Sequence, residues 1–216
     1  VGRGGSLPSG PTACFRRLPD YDKALFTLAS LAYMRGANIP LGEAESRIME
    51  TWSQENCEAV VSSLLTSLCP FDYPDGLLEH LYYQAELMIS EANWHQLLRH
   101  NRKIHFVTTP PSPFYGWTLP PRIEAAGGAN LLTDVIQRAE RVYEKLHAFD
   151  PSLAAYSLTN AHRRQVVATC SLWELYHLIN LRTAADAQWD IRQSMSQLHN
   201  ILLKEQPLLA RYIRRR

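Results

Sequence analysis

A chain of 216 residues with 46% hydrophobic and 20% charged residues can bury one substantial α/β or α+β core and has the balance of an ordinary globular protein. A formal net charge of +1 excludes a generally basic surface for nucleic acid or membrane, and no apolar run approaches the roughly 20 residues needed to cross a bilayer. Cys14, Cys57, Cys69 and Cys170 are scattered, form no Cys-x-x-Cys pair and follow no secretory segment, which predicts a reduced, cytoplasmic protein.

The opening stretch "VGRGGSLPSGP" is rich in Gly, Pro and Ser and predicts a flexible leader over residues 1–15, with a single domain over 16–216. From Asp22 to Arg35 the residues Ala24, Leu25, Leu28, Leu31 and Ala32 recur at helical spacing, and Gly36 follows as a stop. Two more helices are expected over "PLGEAESRIMETW" and "CEAVVSSLLTSL", so the N-terminal third is helical and ends at the turn-rich junction "CPFDYPDG". "LLEHLYYQAELMIS" then alternates, with Leu81, Tyr83, Ala85, Leu87 and Ile89 on one side, as a half-buried strand does. "EANWHQLLRHNRK" returns to helical character.

The five prolines of "TTPPSPFYGWTLPP" predict a loop. "ANLLTDVIQRAERVYEKLHAF" follows as a long amphipathic helix whose apolar face carries Leu131, Val135, Ala139, Val142 and Leu146. "SLWELYHLINLR" reads as helical or mixed, and "AQWDIRQSMSQLHNILLKEQP" as a helix that buries Ile191, Met195, Leu198 and Leu202 before Pro207. The terminal "RYIRRR" reads as a solvated tail.

The chain has no Gly-x-Gly-x-x-Gly, phosphate-binding P-loop, His-Glu-x-x-His or Gly-x-Ser-x-Gly motif. Its histidines show no metal-ligand spacing, so no metal site is expected. Two arginine-bearing clusters remain. In "HQLLRHNRKIH", Gln96, Arg99, His100 and Arg102 crowd donors at a helix end, a set able to hold a phosphate or an anionic cofactor or, alternatively, to form a solvated basic face. In "NLRTAADAQWDIR", Arg182 lies between two packed segments, where an ordinary salt bridge to Asp186 or Asp190 would also account for it.

The joint pattern of "EHLYY", "HQLLRH", "NLR" and "AQWDIR", with His80 preceding Arg99 by nineteen residues, resembles the flavin-dependent thymidylate synthase family from about Pro74 to Pro207. The resemblance implies an α+β, thymidylate synthase-complementing-protein-like fold: a helical N-terminal third, a central antiparallel sheet and long helices. It also implies a homotetramer, FAD as cofactor, NADPH and methylenetetrahydrofolate as co-substrates, and dUMP or a related pyrimidine nucleotide as acceptor. Residue by residue, it places His80, Arg99, His100, Asn101 and His177 toward FAD, Gln96, Thr109 and Arg182 toward the nucleotide, and Arg182 in the catalytic role of binding and activating the uracil ring.

The sequence also departs from the family pattern. The second arginine of the family's Arg-His-Arg falls at Asn101, a glutamate at Val107, a serine at Thr109, arginines at Pro111 and Ala155, and a histidine at Asp186. Arg102, Lys103, Arg163 and Arg164 are the substitutes available for gripping phosphate. The departures leave open a non-catalytic or substrate-shifted relative that binds nucleotide or flavin, or serves as an oligomer-forming subunit. Nucleic-acid binding through "RHNRK" and "RYIRRR" is disfavoured by the near-zero net charge.

Overall fold

The computed structural model of the chain describes residues 10–215. Strand β1 (Thr12–Arg17) is followed by helices α1 (Tyr21–Ala37), α2 (Leu41–Thr51) and α3 (Gln54–Leu65). β2 (Tyr82–Ser90) runs directly into α4 (Glu91–Leu97), and β3 (His105–Thr108) precedes the proline-rich loop. Then come α5 (Pro121–Ala125), α6 (Ala129–Phe149), α7 (Pro151–Ala154), β4 (Arg163–Ser171), α8 (Leu172–Arg182), α9 (Trp189–Glu205) and α10 (Pro207–Ala210). The strands form one antiparallel sheet in the order β1-β2-β4-β3, so the α+β architecture with a helical N-terminal third is as the sequence implies.

The alternation of β2 turns Tyr83, Ala85, Leu87 and Ile89 inward, and β4 adds Val166, Ala168 and Cys170 on the same side. Against this face lie Ile191, Met195, Leu198 and Leu202 of α9 and Leu172, Leu175 and Ile179 of α8, in one continuous core with Leu25, Leu28 and Val61 of the N-terminal helices. The other face of the sheet is half-open and polar, with Arg16 and Gln165 both bonded to Glu86.

Three expectations change. The stop after α1 is not Gly36: the helix runs to Ala37, and Asn38 takes the left-handed conformation (φ 54°) with its N–H on the Met34 carbonyl, a position for which asparagine is the commonest substitute for glycine. Of the leader expected over 1–15, residues 1–9 lie outside the described residues, while Thr12–Phe15 pair with β2. The "RYIRRR" tail is not wholly solvated, because Arg215 folds back and donates to the carbonyls of Cys69, Asp72, Tyr212 and Ile213.

α6 spans the residues expected, yet its apolar face is uncovered. Leu131 is 72% exposed, Val135 46% and Val142 47%, and only Ile136 is buried. Among the described residues, no helix is long and apolar enough to cross a membrane.

Two histidines are sealed in the core. His162 is fully buried, its Nδ1 accepting from the Thr159 N–H and its Nε2 3.7 Å from Glu140. His199 faces the Ala210 carbonyl through Nε2. Burial pushes both imidazoles below their ordinary value, so each stays neutral in the folded chain while the unfolded chain protonates it near pH 6.5. The stability from each neutral imidazole is therefore full above pH 6.5 and is lost as pH falls from there toward the depressed folded value. The slope approaches about 1.4 kcal/mol per pH unit for each group. Urea midpoints measured between pH 7.5 and 5.5 should fall, and His162→Gln should fall less steeply than the parent. Parallel lines for the two proteins would refute this assignment.

Candidate active site

The two central strands each end on a serine that caps the next helix. Ser90 Oγ accepts from the Asn93 N–H (3.1 Å) at the start of α4, and Ser171 Oγ accepts from the Glu174 N–H (3.2 Å) at the start of α8. This switch from strand to helix, without an intervening loop, brings the end of α4 against α8. Residues 174, 178 and 182 recur on one face of α8; Leu178 packs into the core, and the long Arg182 side chain leans back along the helix toward Glu174.

His100, in the short 3-10 turn Leu98–His100 after α4, sits between them. Its Nδ1 is 3.1 Å from Glu174 Oε1, and Arg182 Nε is 3.2 Å from its Nε2. Arg182 also donates from Nη2 to the Gln96 backbone carbonyl at 3.2 Å and from Nη1 to Gln96 Oε1 at 3.4 Å. A guanidinium only donates, so Nε2 of His100 carries the lone pair and Nδ1 the proton, which Glu174 accepts. Glu174 (3% exposed) and His100 (8%) are both buried, so these bonds are made away from competing water.

His177 stands one turn along α8, its ring 5.5 Å from that of His100. Burial lowers its imidazole below the usual range, Glu174 partly offsets this, and His100 and Arg182 add to the depression, which keeps it neutral at pH 7. Burial also lowers the Arg182 guanidinium, and the nearby Arg99 lowers it further.

His100, Glu174 and His177 bring one ligand atom each within 4.8 Å of one another. The donor chemistry opposes a metal ion there. The tautomer set by Arg182 places a proton on the imidazole nitrogen facing Glu174, and Arg99, Arg102 and Lys103 make the adjoining cleft cationic.

That cleft, about 250 Å³, opens from His100 and His177 to solvent. Its wall is Trp173, on which Tyr73 lies parallel at 5.3 Å. Lys103 Nζ sits 4.7 Å from the centroid of the Trp173 ring and pairs with Glu79 at 2.6 Å, and Glu79 accepts from Ser171 Oγ at 2.9 Å. Arg99 and Arg102 are exposed at the rim and form no ion pair among the described residues.

The structure thus brings Gln96, His100, His177 and Arg182 together, with Arg99 at the edge. Among the described residues, the side chains of His80, Asn101 and Thr109 form no bond to this cluster. His80 is exposed at the end of the 3-10 turn Gly76–His80, and Asn101 is exposed in the turn after His100. Thr109 lies beyond β3, its hydroxyl accepting from the Gln165 N–H at 3.1 Å.

The ordinary salt bridge for Arg182 is not made. Asp190 is buried and bonds Ser90 and Asn93 instead, and Asp186 is exposed. Nor are Arg163 and Arg164 available to grip phosphate. Arg163 is 1% exposed and donates to Thr118 Oγ1, while Arg164 pairs with Glu91.

Three site residues were not singled out by sequence reasoning: Glu174, Trp173 and Tyr73. "SLWE" carries a signal at Glu174, but it is that of a capping box, Ser-x-x-Glu. The cap is half-made, since the Glu174 carboxylate turns to His100 rather than back to the Ser171 N–H.

A family model described as "Thymidylate synthase complementing protein" matches residues 16–208. A curated flavin-dependent thymidylate synthase from Sulfurisphaera tokodaii is 30% identical over 146 residues, covering 64% of this chain and 56% of that protein. One from Sulfolobus acidocaldarius is 29% identical over 149 residues, covering 63% and 55%. The chain therefore spans about half the length of these relatives. Among solved structures, a UMP/dUMP methylase from Streptomyces cacaoi bound with 5-Br dUMP superposes with a TM-score of 0.74 at 17% identity, over 94% of each chain, a likeness of fold.

Proposed function

Because the chain belongs to the thymidylate synthase complementing protein family, we propose that it is a flavin-dependent one-carbon transferase acting on the uracil ring of dUMP or a related pyrimidine nucleotide. In this reading methylenetetrahydrofolate donates the carbon, NADPH is the reductant, and the protein works in the cytoplasm as one domain that includes β1. The observation that carries the proposal is the fixed Arg182 guanidinium, held between the His100 Nε2 and the Gln96 carbonyl with further donors to spare.

The residues present suit part of FAD. A flat aromatic wall of Tyr73 and Trp173 beside Arg99, Arg102 and Lys103 matches a planar ring joined to an anionic diphosphate. The cleft on one chain is too small for the whole dinucleotide, so a neighbouring subunit would complete it. The uncovered apolar face of α6 supports such assembly, as a homotetramer.

When bound, FAD supplies the hydride that reduces the transferred carbon. Arg182 would bind a uracil carbonyl oxygen and stabilise the negative charge that develops on the ring as it attacks the one-carbon unit. Gln96 would orient the base, His80, Arg99, His100 and Asn101 would face the flavin side, and the neutral His177 would donate a hydrogen bond there. Thr109 would face the nucleotide, although within the chain its hydroxyl is engaged by Gln165.

That engagement, together with Asn101, Val107 and Pro111 where the family has charged residues, favours a second reading: a relative that binds nucleotide or flavin without turnover. Purified protein should be yellow and should release tritium from 5-tritiated dUMP when given methylenetetrahydrofolate and NADPH. A yellow protein that binds dUMP but releases no tritium would establish the second reading. Colourless protein that cannot be reconstituted with FAD would remove the first reading, and failure to bind a pyrimidine nucleotide as well would remove the second.

A further inference from the structure

We propose that Glu174 is a positioning residue that acts through His100 on Arg182: the buried carboxylate fixes the imidazole as its Nδ1–H tautomer, which presents a lone pair to the guanidinium. The inference rests on the reading of Arg182 as the uracil-binding cation.

The geometry requires a definite proton order. Glu174 Oε1 lies 3.1 Å from His100 Nδ1, and Arg182 Nε lies 3.2 Å from Nε2. Were the imidazole proton on Nε2, two N–H groups would face each other there and Arg182 would be pushed out of the cluster. The Nε2–H form is the one a free imidazole side chain prefers in water, so the opposite tautomer needs an acceptor at Nδ1, and Glu174 is the group placed there. As the third residue of α8, Glu174 also has the amide dipoles of the helix N-terminus on its side, which favour a carboxylate at this position.

A guanidinium carries five N–H donors. His100 and the two Gln96 oxygens engage three of them, which leaves two for a ligand. A carboxylate–imidazole–guanidinium chain thereby holds a cation in one orientation without placing a carboxylate in contact with it. A direct Glu–Arg pair would neutralise the charge that the ring must meet; an intervening neutral imidazole keeps it available.

The first test uses the purified protein with 15N-labelled histidine. Multiple-bond 1H–15N spectra should show His100 in the Nδ1–H form, assigned by loss of its signals in His100→Gln, and Glu174→Leu should move it to the Nε2–H form. Titration with dUMP should then show at least a tenfold weaker Kd for Glu174→Leu. Glu174→Gln keeps an acceptor oxygen and should lose only about threefold. On an Arg182→Ala background, Glu174→Leu should cost nothing further, which a merely structural role would not produce. An Nε2–H tautomer in the parent protein, or additive losses in the double variant, would overturn the proposal. Should no form bind dUMP or another uracil nucleotide, the functional reading fails, while the tautomer still decides whether Glu174 orders this cluster.

Discussion

Arg182→Ala should lower kcat/KM for tritium release from 5-tritiated dUMP by roughly 10²–10³-fold, about 2.7–4 kcal/mol of transition-state stabilisation. The size follows from the setting. The guanidinium is partly withdrawn from water and held by three bonds before any ligand arrives, so no reorganisation is required when negative charge develops beside it. Arg182→Lys should recover less than tenfold of the loss. A single ammonium cannot span the His100 Nε2 and the Gln96 carbonyl while still facing a ring oxygen. Thermal melting of both variants should stay within a few degrees of the parent, since Arg182 is only half-buried. Activity of Arg182→Ala within threefold of the parent would remove Arg182 from the catalytic role.

Gln206→Ala should cost about 2–5 kcal/mol of stability. Gln206 is fully buried where α9 turns into α10; its Oε1 accepts from Tyr83 OH at 2.7 Å and its Nε2 donates to the Pro19 carbonyl at 2.6 Å. It thereby ties the beginning of β2 to the segment that leads into α1. Removing the amide strands a buried phenol, whose ionisation burial already pushes well above its ordinary range, and a buried carbonyl, at about 1–3 kcal/mol each. Tyr83→Phe alone strands Gln206 Oε1, so the two changes together should cost less than their sum. Urea unfolding of the four proteins in the cycle measures this; a loss below about 1 kcal/mol for Gln206→Ala would mean that water or a neighbour replaces the bonds.

Elements that bury a regular stripe could be read from the chain. β2 shows period two, α9 shows Ile191, Met195, Leu198 and Leu202, and α6 was delimited by its flanks. β4 could not be read in this way, because its apolar run passes into α8 with only Ser171 between them and no glycine or proline marks the change. β1 lies next to the Gly- and Pro-rich opening, and β3 has only four residues. The apolar face of α6 was visible as a pattern, but pattern alone does not distinguish a face turned to its own core from one left open.

The candidate site was legible where a motif fixed residue types: Gln96, His100 and Arg182 do converge, and His177, which lies outside those motifs, stands beside them. Glu174 was not, since its role depends on a contact with a residue 74 positions away, and its local context reads as a helix cap. Arg163 and Arg164 read as substitutes for gripping phosphate, but β4 was not legible as a strand, and its pairing with β2 takes Arg163 inside.

The two borders of the sheet limit how copies of this chain can join. On the β1 side, the Gln197 side chain accepts from the Ala13 N–H at 2.8 Å and donates to the Pro11 carbonyl at 3.0 Å, closing part of the ladder with an amide from α9. On the β3 side the strand ends after four residues, and Pro110 and Pro111 that follow have no N–H to offer. Strand-by-strand extension into a fibre or a continuous intersubunit sheet therefore finds little to pair with.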